Sequence, residues 1–84
     1  ANEVIQKINT NTRSLNSIAN KQKMLSLNAS IEAARSGEAG VGFAVVAKSM
    51  GDLSSQSATI YSDIEKSVVD ITSSIEKLAS LFED

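Results

Sequence analysis

The chain has 84 residues, eight basic and ten acidic side chains, a net charge of −2 and no His, Cys or Pro. It therefore lacks a histidine base, any disulfide framework and the usual ligands of zinc. The charges form no basic stripe, which argues against nucleic-acid binding. The longest apolar run, residues 43–47, is far shorter than the about 20 residues of a membrane span. Because the chain begins with Ala1 rather than Met, we interpret it as part of a longer protein.

The first predicted element is a helix over about residues 2–36. Side chains suited to a coiled-coil seam recur there at alternating steps of four and three. We call this set, with its continuation below, the first stripe. In this arm it comprises Val4, Ile8, Asn11, Leu15, Ile18, Gln22, Leu25, Ala29 and Glu32.

Three of the four glycines fall within residues 37–42 and predict a turn over about residues 37–41. Gly37 can take the left-handed conformation that ends a helix. Arg35 before it and Glu38 after it are each favoured by the dipole of the neighbouring helix. We expect the chain to reverse direction between Gly37 and Glu38.

A second helix is predicted over about residues 42–83. Its part of the first stripe comprises Phe43, Val46, Met50, Leu53, Ser57, Ile60, Ile64, Ser67 and Ile71. The numbers of facing positions in the two arms always add to 75, as in Leu25 with Met50 and Leu15 with Ile60. The sequence thus predicts one all-α domain over residues 1–84, a long antiparallel helical hairpin with these pairs in contact.

A second stripe of apolar or small residues runs beside the first. It comprises Ile5, Thr12, Ala19, Ser26, Ala33, Tyr61, Val68, Ile75 and Phe82. A two-helix hairpin needs only one seam, so two hairpins are expected to dimerise into a four-helix bundle. Polar residues in the first stripe, and Gly51 within a helix, predict a soft bundle. It is either a fragment that needs its neighbours or a signalling rod whose packing changes.

Catalysis is not expected. Residues 37–43 contain three glycines, but a phosphate-binding loop needs Lys after its last glycine and a preceding strand, whereas Phe43 and a helix stand there. Glu32, Glu38 and Asp52 have no accompanying nucleophile. Glu32 and Arg35, three residues apart on one helix face, are suited to an intrahelical ion pair. We predict no enzyme activity and no cofactor.

A family resemblance is carried by Ile18-Ala19, by residues 24–40, which read MLSLNASIEAARSGEAG, and by residues 42–47, which read GFAVVA. This sequence closely resembles the cytoplasmic tip of bacterial methyl-accepting chemotaxis proteins. The resemblance implies a homodimeric four-helix bundle, joined at its tip into trimers of dimers, that binds the chemotaxis histidine kinase CheA and its adaptor CheW. It also implies a cytoplasmic location, whether the parent protein is membrane-anchored or soluble.

The resemblance also assigns roles by position. The expected contacts between dimers are Met24, Leu27, Ile31, Glu32 and Arg35. The expected contacts with kinase and adaptor are Asn28, Glu38, Phe43 and Val45. Residues 73–80 loosely resemble the methylation segments of the family, which makes Glu76 a candidate methyl acceptor.

The chain departs from the family pattern at residues 21–23, at Val41, where Arg is usual, and at residues 48–55, where an acidic-then-basic pattern is lost. Two functions therefore remain open. One is control of the kinase by contact at the tip. The other is a structural dimerisation coiled coil in a sensor protein that is no longer coupled to chemotaxis.

Overall fold

The computed structural model describes residues 2–82 as two long helices joined by a tight turn. Helix α1 spans Asn2–Arg35, a 3-10 helix spans Gly37–Gly40, and helix α2 spans Val41–Leu81. The two arms lie side by side in a rod that measures 72 × 16 × 12 Å. The predicted all-α hairpin is confirmed. Position 83, which the sequence assigned to the second helix, lies outside the described residues.

The turn depends on two glycines for different reasons. Gly37 has a φ of 61°, the left-handed conformation predicted for it, which favours glycine. Just before it, the Ser36 amide donates to the carbonyl oxygens of Glu32 at 3.1 Å and Ala33 at 3.2 Å, which ends α1. Gly40 is buried against α1, and a Cβ there would lie only 2.9 Å from the Ala33 Cα. A side chain would therefore strain the backbone at Gly37 and clash with α1 at Gly40.

The seam between the helices is built from small residues. Buried there are Thr12, Ala19, Ser26, Ala33, Gly40, Ala47, Gly51, Ser54 and Val68. The buried residues of α1, which are Thr12, Ala19, Ser26 and Ala33, all belong to the second stripe. Most first-stripe side chains remain exposed, with 60% of Leu25, 71% of Phe43 and 56% of Ile60 accessible to solvent. The exceptions are half-buried: Ala29, Ser57 and Ile64. The prediction that the first stripe forms the seam within the hairpin was therefore wrong.

The predicted register, meaning which residues of the two arms lie at the same height along the rod, agrees with the structure. The predicted inward face of each helix does not. Ala33 lies against Gly40 and Ser26 against Gly51, pairs whose numbers add to 73 and 77, on either side of the predicted 75. Small side chains let two helices approach more closely than bulky ones, so the face that carries them turns inward. The larger first-stripe residues are displaced to one flank of the rod.

Two of the polar side chains buried in the seam form hydrogen bonds within their own helices. The Thr12 hydroxyl donates to the carbonyl oxygen of Ile8 at 2.6 Å, and that of Ser54 donates to the carbonyl oxygen of Met50 at 2.9 Å. Within residues 2–82 no buried side-chain nitrogen or oxygen lacks a partner. In the same range, neither helix is long and apolar enough to cross a membrane.

The inner seam is tested by paired cysteines. A Cβ built on Gly51 lies 3.7 Å from the Ser26 Cβ, close to the about 3.8 Å typical of disulfides. We expect Ser26→Cys with Gly51→Cys to oxidise rapidly within one chain, as seen by electrophoresis without reductant. Leu25→Cys with Met50→Cys, shifted by one residue in each arm, is the control and should close within the chain at least about tenfold more slowly. Faster closure of the control pair would restore the first stripe as the inner seam.

Candidate protein-interaction site at the hairpin tip

An apolar ridge runs along the outer face of α1 near the tip. Met24, Leu27 and Ile31 follow one another at steps of three and four residues, so they share one helix face over about 10 Å. Their side chains are 60%, 50% and 62% exposed. The ridge faces away from α2, and nothing within the hairpin covers it. A contiguous exposed apolar surface of this kind is typical of a protein contact.

An ion pair borders the ridge at its end nearest the turn. The Arg35 guanidinium lies 3.5 Å from the Glu32 carboxylate, and both side chains are largely exposed. This is the intrahelical i,i+3 pair that the sequence suggested. Because solvent screens it, the pair contributes only a few tenths of a kcal/mol to the stability of the hairpin. Both charges therefore remain available to a partner.

Phe43 stands at the mouth of an apolar groove between the two arms. The groove has a volume of about 340 Å³ and is lined by Ala29, Glu32, Ala33, Ser36, Ala39, Gly40 and Phe43. Its floor consists of small residues at which α1 and the turn approach each other. Phe43 is 71% exposed, so the ring lies at the rim rather than in the groove. The sequence analysis identified Phe43 and Glu32 but did not predict this groove. The many alanines and glycines near the turn were the feature that could have indicated it.

Val45 lies on a different face of α2 from Phe43. Two residues correspond to about 200° around a helix, so the two side chains project in nearly opposite directions. Val45 is 65% exposed, and Val41, one turn before it, is 62% exposed. The tip therefore carries separate surfaces, and one small partner surface cannot cover both Phe43 and Val45.

The other predicted site residues are exposed. Asn28 lies on α1 and Glu38 in the first turn of the 3-10 helix, both near the chain reversal. Glu76 lies far along α2 from the turn and lines a shallow surface groove with Asn9 and Val69. The structure thus brings Asn28, Glu38, Phe43 and Val45 to one end of the rod and leaves Glu76 apart from them.

Two cross-helix contacts near the tip were not anticipated from the sequence. The Lys23 ammonium donates to the Ser55 hydroxyl at 2.7 Å. Ser26 packs against Gly51, where a Cβ would lie 2.6 Å from its hydroxyl oxygen. Among residues 2–82 no group of three metal-binding side chains occurs.

Comparison with known proteins identifies the relatives of the chain. The family described as "Methyl-accepting chemotaxis protein (MCP) signalling domain" matches residues 1–84. The methyl-accepting chemotaxis protein McpB of Bacillus subtilis is 44% identical over 70 residues, which are 83% of this chain and 11% of that protein. The aerotaxis receptor of Escherichia coli is 51% identical over 61 residues, 73% of this chain and 12% of the receptor.

A third relative, the methyl-accepting chemotaxis protein McpQ of Pseudomonas putida, is 39% identical over 70 residues, 83% of this chain and 11% of that protein. The chain thus spans only about a tenth of the length of these relatives. The similarity covers both arms and the turn, because matches of this length extend well beyond residues 24–47.

The exposed ion pair generates a prediction about stability. Arg35→Ala and Glu32→Ala should each change the free energy of unfolding by no more than about 0.5 kcal/mol, because solvent screens the pair. Thermal unfolding followed by circular dichroism, with the double variant completing the cycle, measures the coupling. A coupling above about 1 kcal/mol would show instead that the pair stabilises either the folded chain or its assembly. Repeating the cycle at several chain concentrations distinguishes these cases, because only stabilisation of an assembly depends on concentration.

Proposed function

The chain belongs to the family of methyl-accepting chemotaxis protein signalling domains, and we propose that it is the signal-transducing tip of a chemoreceptor. In this proposal it works in the cytoplasm and controls a chemotaxis histidine kinase, CheA, through direct contact with the kinase and its adaptor CheW. It catalyses no reaction and holds no cofactor. The observation that carries the proposal is the group of exposed apolar side chains around the turn.

Dimerisation follows from the exposed first stripe. Leu25, Phe43 and Leu53 are each at least 60% exposed in the single hairpin. Complete burial of one such side chain contributes about 1.5–3 kcal/mol, against an association cost of about 4–15 kcal/mol. The stripe extends along most of the rod, so a second copy buries enough of it to offset that cost. The product is a four-helix bundle in which the small-residue seam lies within each hairpin and the first stripe lies between them.

The remaining tip surfaces stay available once the first stripe is covered. Val45 lies about 200° around α2 from Phe43, so a second copy packed on the first stripe leaves it exposed. We assign Val45, with Asn28 and Glu38 near it at the tip, to the adaptor and kinase. Phe43 contributes through the shape of the dimer tip as well as by contact, because it belongs to the first stripe.

The outer ridge of α1 is assigned to contacts between dimers. Met24, Leu27 and Ile31 supply apolar area, and the ion pair of Glu32 and Arg35 supplies charges that can exchange partners. Glu32 ends the first stripe of α1 at the turn, so in this proposal its carboxylate lies at the edge of the covered surface. Three dimers meeting at these ridges form the trimer of dimers. Glu76 on the distant part of α2 stays a proposed methyl acceptor, exposed and away from all these contacts.

Sedimentation at micromolar concentration tests the dimer. We expect the wild-type chain to sediment as a dimer and Leu53→Lys to weaken self-association at least about tenfold, because it places a charge in the covered stripe. Val69→Lys is the matched control: Val69 is 67% exposed, against 62% for Leu53, but lies outside the first stripe. A cooperatively folded wild-type monomer under these conditions contradicts the proposed dimer.

Adaptor binding tests the signalling role. Val45→Asp should weaken binding of the adaptor by about thirtyfold, equivalent to about 2 kcal/mol, because a central interface anchor is lost. Helicity should be preserved, since Val45 does not pack against α1. Val69→Asp, on the same helix and similarly exposed, should bind normally. Titration calorimetry and circular dichroism measure the two quantities.

Two further results complete this test. Glu38→Lys should also weaken binding, and its effect should shrink at high salt, because an exposed charge is screened. If the wild-type dimer binds neither adaptor nor kinase from its own organism at tens of micromolar, kinase control fails. The structural coiled coil is then the better description of the chain.

A further inference from the structure

Gly51 occupies an unusual position in α2. It lies within a 41-residue helix and is buried in the seam, where a Cβ would stand 2.6 Å from the Ser26 hydroxyl oxygen. Glycine in a helix interior is the weakest common helix former after proline, since its backbone loses the most freedom on folding. The contact with Ser26 explains why a better helix former does not fit. The helix therefore combines local weakness with tight external packing at this level.

Two hydrogen bonds near Gly51 add to this local weakness and to the packing against α1. The Ser54 hydroxyl donates to the carbonyl oxygen of Met50, a back-bond of the kind that loosens and bends helices. Thr59 and Thr72 make the same bond further along α2, so the glycine is what distinguishes the level of Gly51. One residue further, Ser55 accepts a hydrogen bond from Lys23 of α1 at 2.7 Å. Within six residues, α2 thus contains two features that weaken its own backbone and two contacts that attach it to α1.

Gly42 provides the contrast within the same helix. A Cβ there meets nothing within 4 Å, so glycine is required at that position neither by space nor by a positive φ. Gly42 lies in the first turn, where a helix frays in any case. Gly51 is the helical glycine at which a side chain would displace a group of the other arm, the Ser26 hydroxyl.

We propose that residues 50–55 of α2 form a clamped hinge. Gly51 and the Ser54 back-bond make the helix pliable there, while Ser26 behind it and Lys23 beside it hold it straight against α1. Opening the clamp lets the tip tilt relative to the rest of the rod without unfolding either helix. A change in helix spacing further down the rod then reaches the tip through this level. The hinge is a property of the hairpin and requires no kinase or adaptor.

Amide hydrogen exchange of the full chain, followed by NMR at one fixed concentration, tests the hinge. The amides of residues 52–55 bond across Gly51, and those of residues 59–62 occupy equivalent positions one heptad later. Each group lies beside a back-bond, that of Ser54 or that of Thr59, so the ratio isolates the glycine. After correction for intrinsic rates, we expect the first group to exchange about fivefold faster or more. Lys23→Met should raise this ratio at least threefold further. Lys21→Met, an exposed lysine two residues away, should leave it unchanged.

A double variant tests the packing side of the hinge. Ser26→Ala with Gly51→Ala removes the hydroxyl and leaves the new Cβ at 3.7 Å from that of residue 26, an ordinary contact. The ratio of exchange rates should then fall to about one, while Gly42→Ala should not affect it. Gly51→Ala alone should raise exchange of both groups, because the methyl group pushes the helices apart.

Three outcomes would overturn the hinge. One is a wild-type ratio near one, which means that α2 is uniformly rigid. Another is a ratio that the double variant does not lower. The third is a single Gly51→Ala variant as well protected as the double one, which means that Ser26 does not clamp the helix.

Discussion

The close approach of two helices through a seam of small residues determines the rest of this structure. At Gly40 the backbone of the turn lies against the backbone of Ala33, and at Gly51 the backbone of α2 lies against the side chain of Ser26. A seam of alanine, serine and glycine removes little apolar area from water, so the single hairpin gains modestly from its own core. The larger apolar side chains are left outside, where they can be buried only by other chains.

Because small residues lie inside the hairpin and large apolar residues outside, one short hairpin presents several surfaces. The inner seam uses one face of each helix, and the first stripe uses the neighbouring face. What remains at the tip is the ridge of Met24, Leu27 and Ile31 on α1 and the exposed pair Val41 and Val45 on α2. Because side chains on a helix point in directions fixed by 100° steps, each surface is separate and can serve a different partner.

The turn makes this end of the rod well defined. The left-handed Gly37 ends α1, and the buried Gly40 lets the 3-10 helix pack directly on Ala33. A loosely closed hairpin would present its terminal residues in many orientations. Here Phe43 lies in the first turn of α2, only three residues after the buried glycine, so its position at the rim of the groove follows from backbone packing. A tip of fixed geometry is what the proposed contacts with other proteins require.

Much of this protein could be read from its sequence. Heptad steps, the absence of proline and the glycine cluster predicted two long helices, their reversal at Gly37 and the level at which they face each other. The quoted residues 24–40 and 42–47 also indicated the family. These features depend on local conformation and spacing along one chain, which the sequence carries directly.

The face of each helix that turns inward was decided only by the tertiary structure. Leu25 and Met50 had the stronger pattern, yet Ser26 and Gly51 lie between the helices. Periodicity identifies two apolar faces but does not rank them, because either can be buried by some neighbour. The choice depends on how closely two backbones can approach, a property of facing pairs. The groove beside Phe43 and the bond from Lys23 to Ser55 were missed for the same reason, since each exists only when both arms are in place.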